Sequence, residues 1–334
     1  KDRQFILRGG LGIFTGRIPY VWISNNFAKT GLQMQTYSVN TPKGLELILN
    51  PNGQEANAAR LRAAGSQEVN VFEDKFKFAQ TLKANLGFDF HLLGIDWTAE
   101  AIYSKTLNDI YYKNLAVDKT GQTFAQVTGY EWDNRPMYER TPYSYVYALY
   151  NTSKGYTTSL SLKGEKHFNF GLDLMASYTW TRSMSVNSGT SSVAGSNWMY
   201  NATYRDVNDP ELSLSAYNVP HRLQASAYYH VKYGARKQWE STIGVIYQGR
   251  SGSPYVIEVY GDMNGDGANG NDLMWIPTDA QIDRMKFASG VKVNNSKDIY
   301  PLITKVLGSG FNGTLTEAQQ RALMKQWIAD DPYM

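Results

Sequence analysis

Apolar and polar residues alternate along several stretches of the chain, with the period of two that a half-buried β-strand requires. Between residues 239 and 248, Trp239, Ser241, Ile243, Val245 and Tyr247 share one face, and Glu240, Thr242, Gly244, Ile246 and Gln248 the other. Between 170 and 180, Phe170, Leu172, Leu174, Ala176, Tyr178 and Trp180 oppose Gly171, Asp173, Met175, Ser177 and Thr179. Leu223, Ala225, Ala227, Tyr229 and Val231 likewise oppose Arg222, Gln224, Ser226, Tyr228 and His230. Residues 156–167 and 75–90 repeat the scheme; in the latter, Phe76, Phe78, Leu82, Ala84, Leu86, Phe88 and Phe90 share a face that only Gln80 interrupts. These stretches run to about 10–16 residues, against an average of about five or six for strands of soluble proteins. Crossing a bilayer at a tilt near 45° takes about 9–11. Trp239 and Tyr247 lie eight residues apart. That is roughly 26 Å along a strand and roughly 20 Å when tilted, near the apolar band of about 25 Å.

The connections sort by length. Seven spanning strands are predicted at about 3–14, 74–90, 93–105, 155–167, 170–184, 219–231 and 238–249. A further strand above the membrane is predicted at 143–150 (Tyr143, Tyr145, Tyr147, Leu149). Short connections near 91–94, 168–169 and 232–237 alternate with long ones at roughly 15–73, 106–154, 185–218 and from 251 onward. Tight periplasmic turns and long outer loops give a transmembrane barrel this asymmetry, whereas a soluble sandwich or propeller has no reason for it. Within residues 251–334, helices are predicted at 297–307 and 316–329. The second carries an apolar stripe (Leu315, Ala318, Ala322, Leu323, Trp327) and a capping pattern of Thr316 with Gln319. The expected fold class is all-β: a segment of a transmembrane antiparallel β-barrel, with long extracellular loops that contain short helices. An odd strand count points to further strands, since a closed bacterial barrel usually has an even number.

Composition narrows the alternatives. No run approaches the roughly 18 apolar residues of a helical span, so a helical membrane protein is excluded. There is no cysteine, which removes disulfides, thiolate metal sites and cysteine nucleophiles. A net charge of +3 is too small and too dispersed for nucleic-acid binding. Aromatic content of 13%, with 24 tyrosines and 8 tryptophans, suits an interfacial girdle or a carbohydrate-binding surface.

One local motif carries candidate chemistry. Asp262, Asn264 and Asp266, followed by Gly267, place oxygen ligands at positions 1, 3 and 5 and glycine at 6, as in the start of an EF-hand calcium loop. Position 12 is Leu273, and Asp272 is the substitute ligand; the alternative is a polar turn. The loop aromatics Tyr20, Trp22, Trp132, Trp198 and Tyr200 are candidates to stack on a sugar or peptide, or to pack the loops together. Lys75, Lys77, Lys83, Glu100, Glu165 and Glu240 are expected to face the lumen. The four histidines, His91, His167, His221 and His230, form no catalytic set, and phosphate and dinucleotide fingerprints are missing, so no enzyme is expected.

Four segments resemble a known family. They are Arg8-Gly9-Gly10 continuing through Phe14-Thr15-Gly16-Arg17-Ile18-Pro19-Tyr20-Val21-Trp22-Ile23-Ser24-Asn25, then Asn151-Thr152-Ser153-Lys154-Gly155-Tyr156, then Asn218-Val219-Pro220-His221-Arg222, and Gly261-Asp262-Met263-Asn264-Gly265-Asp266-Gly267 running on through Asn271-Asp272-Leu273 to Ile276-Pro277-Thr278-Asp279. In this order they resemble the TonB-dependent outer-membrane receptors of the Oar-like type from Bacteroidetes. The resemblance implies a barrel of about 22 strands around a plug. It implies import of a solute (peptide, oligosaccharide or chelate) across the bacterial outer membrane, driven by the TonB complex. A surface lipoprotein is a further possible partner. Residues 1–334 then correspond to part of the C-terminal barrel. The plug of about 120–150 residues, the TonB-contact motif and the last strands are expected outside this sequence. The competing readings are a β-rich adhesion or glycan-binding surface protein and a passive porin-like barrel.

Overall fold

The computed structural model describes residues 5–17, 19–30, 37–38, 51–64, 66–141, 145–293 and 300–332. Residues 3–4, Tyr143 and 297–299 of the expected elements lie outside these. The chain divides into two units, Lys1–Gln122 with Arg135–Leu273, and Thr123–Asn134 with Met274–Met334.

Seven antiparallel strands form the wall of the first unit: β1 (Phe5–Thr15), β2 (Gln80–Leu92), β3 (Ile95–Asn114), β4 (Tyr156–His167), β5 (Leu172–Ser185), β6 (His221–Tyr233) and β7 (Trp239–Arg250). They pair in sequence order, β1 to β7. The register explains the alternation. One cross-strand row runs Leu7, Phe88, Ala99, Leu162, Tyr178 and Leu223, apolar or aromatic throughout. From β2 to β7 the next row runs Asp89, Thr98, Lys163, Ser177, Gln224 and Gln248, all polar, and only its β1 member Ile6 is apolar. A one-residue slip at any strand would send its polar set into the apolar face, so the register is strongly specified. The apolar face is bare: Leu7 is 66% exposed and Val245 68%. A bare contiguous apolar face of this size is a lipid-facing surface, and paired strands satisfy the backbone there. Among the described residues, no helix is long and apolar enough to cross a membrane.

The polar face is knit by side chains. Arg8 donates to Asp89 (3.0 Å) and Glu100 (3.2 Å). Thr157 pairs with Ser183 at 2.9 Å, and Ser159 with Thr181 at 3.3 Å. Near the short turns, Asp173 bridges His167 (2.8 Å) and His230 (3.2 Å), and His230 reaches Thr242 at 2.9 Å. His91 pairs with Asp96 at 2.7 Å.

The buried core lies at one end of the wall and beyond it, where the upper part of β3 meets the long connections. Ile110, Tyr112, Val117, Tyr138, Tyr147, Leu149, Ala194, Trp198, Val207 and Ala268 form one cluster, and Trp22, Ile23, Phe72 and Phe76 pack against it. These residues come from all four long connections. Those connections therefore fold together as a head beyond one end of the wall, and the three tight turns occupy the other end.

Several boundaries differ from the sequence expectation. Strand β2 starts at Gln80, so Lys75 and Lys77 are not lumen-facing strand residues. The Asn151 side chain clamps Lys77 by accepting from its N–H and donating to its carbonyl, and Phe76 packs against Phe72 at a tilt, with ring centroids 4.9 Å apart. Core burial thus pulls residues 73–79 off the wall. Strand β3 continues past 105 to Asn114 because a partner meets it there: Tyr145–Thr152 pairs with residues 109–114 and, in parallel, with Glu68–Phe72. Helices at Tyr20–Ala28, Gln54–Ala64, Phe124–Thr128 and Ala194–Met199 were not expected.

In the second unit, helices Asp279–Arg284, Tyr300–Leu307 and Glu317–Asp330 pack around Ile282, Ile303 and Leu323. Thr316 and Gln319 form the expected capping box. Of the expected stripe, Leu323 is buried, Leu315 and Trp327 are half-buried, and Ala318 and Ala322 are exposed. Residues 251–273 belong to the first unit and 274–334 to the second.

Candidate functional site

Within the head, residues 187–190, 196–202, 213–216 and 254–258 enclose a cavity of about 230 Å³. Its lining mixes amides and hydroxyls, among them Asn187, Thr190 and Ser196, with the aromatic Tyr200 and Tyr255 and one carboxylate, Glu258. Two lengths of chain set these residues. Helix Ala194–Met199 buries Trp198 and hands over to Tyr200 at its C-cap, which leaves the Tyr200 ring outside the core. The Tyr200 ring lies against Gly270, where a Cβ would come within 2.8 Å of it.

The opposite side of the cavity is fixed by the aspartate-rich loop. Glu258 bridges Leu273 in antiparallel fashion, and the Val259 N–H donates to the Asp272 carbonyl at 2.9 Å. These contacts close the neck of residues 260–271. Asp262 accepts the N–H groups of Gly265 (2.7 Å) and Gly267 (2.8 Å). Asn264 accepts from the Asp266 N–H, and Asp266 accepts from the Ala268 N–H (2.7 Å) and the Asn271 amide (2.8 Å). Asp272 accepts from the Met263 N–H (2.8 Å) and from Arg135 (3.3 Å), in an ion pair with both side chains 1% exposed. Arg135 also donates to the Leu273 carbonyl at 2.6 Å. The Tyr138 N–H donates to the Asn264 carbonyl at 2.7 Å, and the Thr203 N–H to that of Asn271 at 2.9 Å. Burial pushes the Asp266 carboxyl up to about 6, and the charges of Asp272 and Asp262 add to the rise. Burial also raises the Glu258 carboxyl.

This geometry redistributes the sequence candidates. Tyr200 lines the cavity. Trp198 does not face a solute: it is 2% exposed, in the core beside Tyr147, with its indole N–H on Asn208. Trp22 is held at the core margin by its indole N–H on the Ser191 carbonyl (3.0 Å) and by edge contact with Tyr112. Tyr20 is 73% exposed and is not among the cavity residues. Trp132 lies in the second unit, stacked on Tyr130 with Arg284 over its ring. The candidate calcium ligands Asp262, Asn264 and Asp266 sit in one turn, but Asp272 is committed to Arg135 and the Met263 N–H. Among the described residues, no group of three or more His, Asp or Glu is disposed to hold a metal. The oxygens of the turn are satisfied by the chain's own donors. Glu258 and Tyr255 escaped the sequence reading because no motif surrounds them; long-range pairing alone brings them to the cavity.

The model of the outer membrane beta barrel domain family matches residues 2–292. The chain belongs to that family, and its exposed apolar wall accords with a place in the bacterial outer membrane. No curated protein matches the sequence.

Proposed function

We propose that the chain forms part of a TonB-dependent receptor that binds a solute at its outer loops and passes it into the periplasm. The observation that carries this reading is the head: four connections, far apart in sequence, share one core and frame a polar, aromatic-lined cavity beyond one end of the wall. A passive pore has no need of such a site. The polar inner face offers a hydrated path below it. Energy coupling, the TonB complex and a surface lipoprotein enter through the resemblance of the four sequence segments to Oar-like receptors. The test is uptake of labelled candidate nutrients by cells with and without the gene. Gene-dependent import that stops when the proton gradient is collapsed supports the reading. Import that survives collapse indicates a porin, and binding without import indicates an adhesion protein. Calcium stays a proposal for this protein with a narrower ligand set, Asp262, Asn264 and Asp266.

A further inference from the structure

The charge in the cavity bears on the class of solute. Among the described residues that line the cavity, Glu258 is the one carboxylate, and no lysine or arginine accompanies it. Burial at the cavity raises its carboxyl above the ordinary value. A partly desolvated carboxylate repels an anionic solute and gains less from a neutral donor than from a charged one. It gains most from a cation with N–H donors, through a charge-assisted hydrogen bond. Tyr200 and Tyr255 supply aromatic rings on the same cavity, and ring faces attract cations. The amides and hydroxyls of Asn187, Thr190 and Ser196 suit the polar remainder of such a molecule.

Resting on the receptor reading above, we propose that this cavity recognises an ammonium group on the solute, with Glu258 as its carboxylate partner and Tyr200 and Tyr255 flanking it. The carboxylate is held in place by the loop behind it: Glu258 bridges Leu273, and Asp272 next to it is locked by Arg135. Tyr200 is held by the same loop through Gly270 and the link from Thr203 to Asn271. The same loop therefore braces both groups, as a preorganised site requires. The ammonium could come from a lysine-bearing peptide or from an oligomer of amino sugars.

Two matched pairs of probes separate these sources. Trilysine is compared with its fully N-acetylated form, and a glucosamine trimer with the N-acetylglucosamine trimer. Binding is measured by calorimetry on the intact outer-membrane protein in detergent micelles. In one pair, the free amine is expected to bind about tenfold more tightly than its acetylated partner, the value of one charge-assisted contact. Glu258→Gln is expected to abolish that preference with its melting temperature unchanged, since among the described residues the side chain makes no ion pair and the residue lies largely open to solvent. The preference is also expected to weaken as pH falls and the raised Glu258 carboxyl takes up a proton. Equal binding of amine and amide in both pairs, no binding of any probe, or a preference that survives Glu258→Gln would overturn the proposal. Amine-selective binding without gradient-driven import leaves it standing and removes the transporter reading instead.

Discussion

Arg135 and Asp272 are two fully buried charges that compensate each other, and removing one strands the other. Asp272→Ala is expected to destabilise the head by about 3–5 kcal/mol. Hydrogen exchange should show residues 258–273 opening first, and unchanged protection there would refute the claim. Asp266 makes a second residue-scale prediction. Its folded pKa, about 6, stands above the ordinary 3.8, so the folded loop binds the proton more readily than the unfolded one. Its stabilising contribution is full below pH 3.8 and is lost as pH rises through about 6. The stability of the wild type relative to Asp266→Asn should therefore fall between pH 4 and 7, on the order of 2–3 kcal/mol. A flat difference would show that burial does not tax this carboxylate. Calcium ligation would hold Asp266 deprotonated, so added calcium should stabilise the wild type most at pH 7 and Asp266→Asn least; no effect on either removes calcium. The spacing of Asp262, Asn264 and Asp266 was legible in the sequence. The partner of Asp272 was not: Arg135 lies 137 positions away, and no local pattern announces it.

Strand-scale legibility followed the wall. Alternation located all seven strands, five of them to within two residues at either end, because each buries one face against lipid and wets the other. It failed at residues 74–79, where Phe76 keeps the alternating pattern yet serves the head core. It also stopped too early, at Lys105 against the observed Asn114, since the upper half of β3 is sided by the head rather than by lipid and changes its pattern there. The missed helix Phe124–Thr128 did carry a signal: Thr123 and Gln126 form the same capping box as Thr316 and Gln319, as do Thr278 and Gln281. The turns are as specific as the strands. Gly171, between β4 and β5, has φ of +92°, and a Cβ there would meet the His230 carbonyl at 2.5 Å. That carbonyl belongs to β6, and the His230 N–H donates back to the Gly171 carbonyl at 2.8 Å, so the turn cannot move aside alone. Gly171→Val should cost about 2–4 kcal/mol, from left-handed strain and overpacking together. Gly121, at φ of +80° with open space around it, is the control: Gly121→Ala should cost only about 1 kcal/mol. Urea unfolding from micelles reads both. Equal costs would mean that backbone strain, and not the contact with β6, sets the penalty.

At the scale of the first unit, two solvents divide the work of stabilisation. The wall has no interior of its own: its apolar rows meet lipid, and its polar rows bond across the strands. The head has an ordinary water-excluding core, with Tyr147, Leu149 and Trp198 nearly inaccessible. Substitutions in the wall should therefore be judged by what they present to lipid, and those in the head by cavities and unpaired groups. The division also explains why the class of protein could be read from the sequence while the ligand could not. Lipid imposes one repeated pattern on every strand, and a repeated pattern is visible without knowing which strand meets which. The cavity repeats nothing. Glu258, Tyr200 and Thr190 come from two different connections, and each connection owes its path to core residues supplied by the other three. Trp22 packs against Gly189 of the cavity, so changing its packing would shift the cavity wall from the core side. Specificity in this architecture is a property of the assembled head, and the wall beneath it holds the ends of those connections in place.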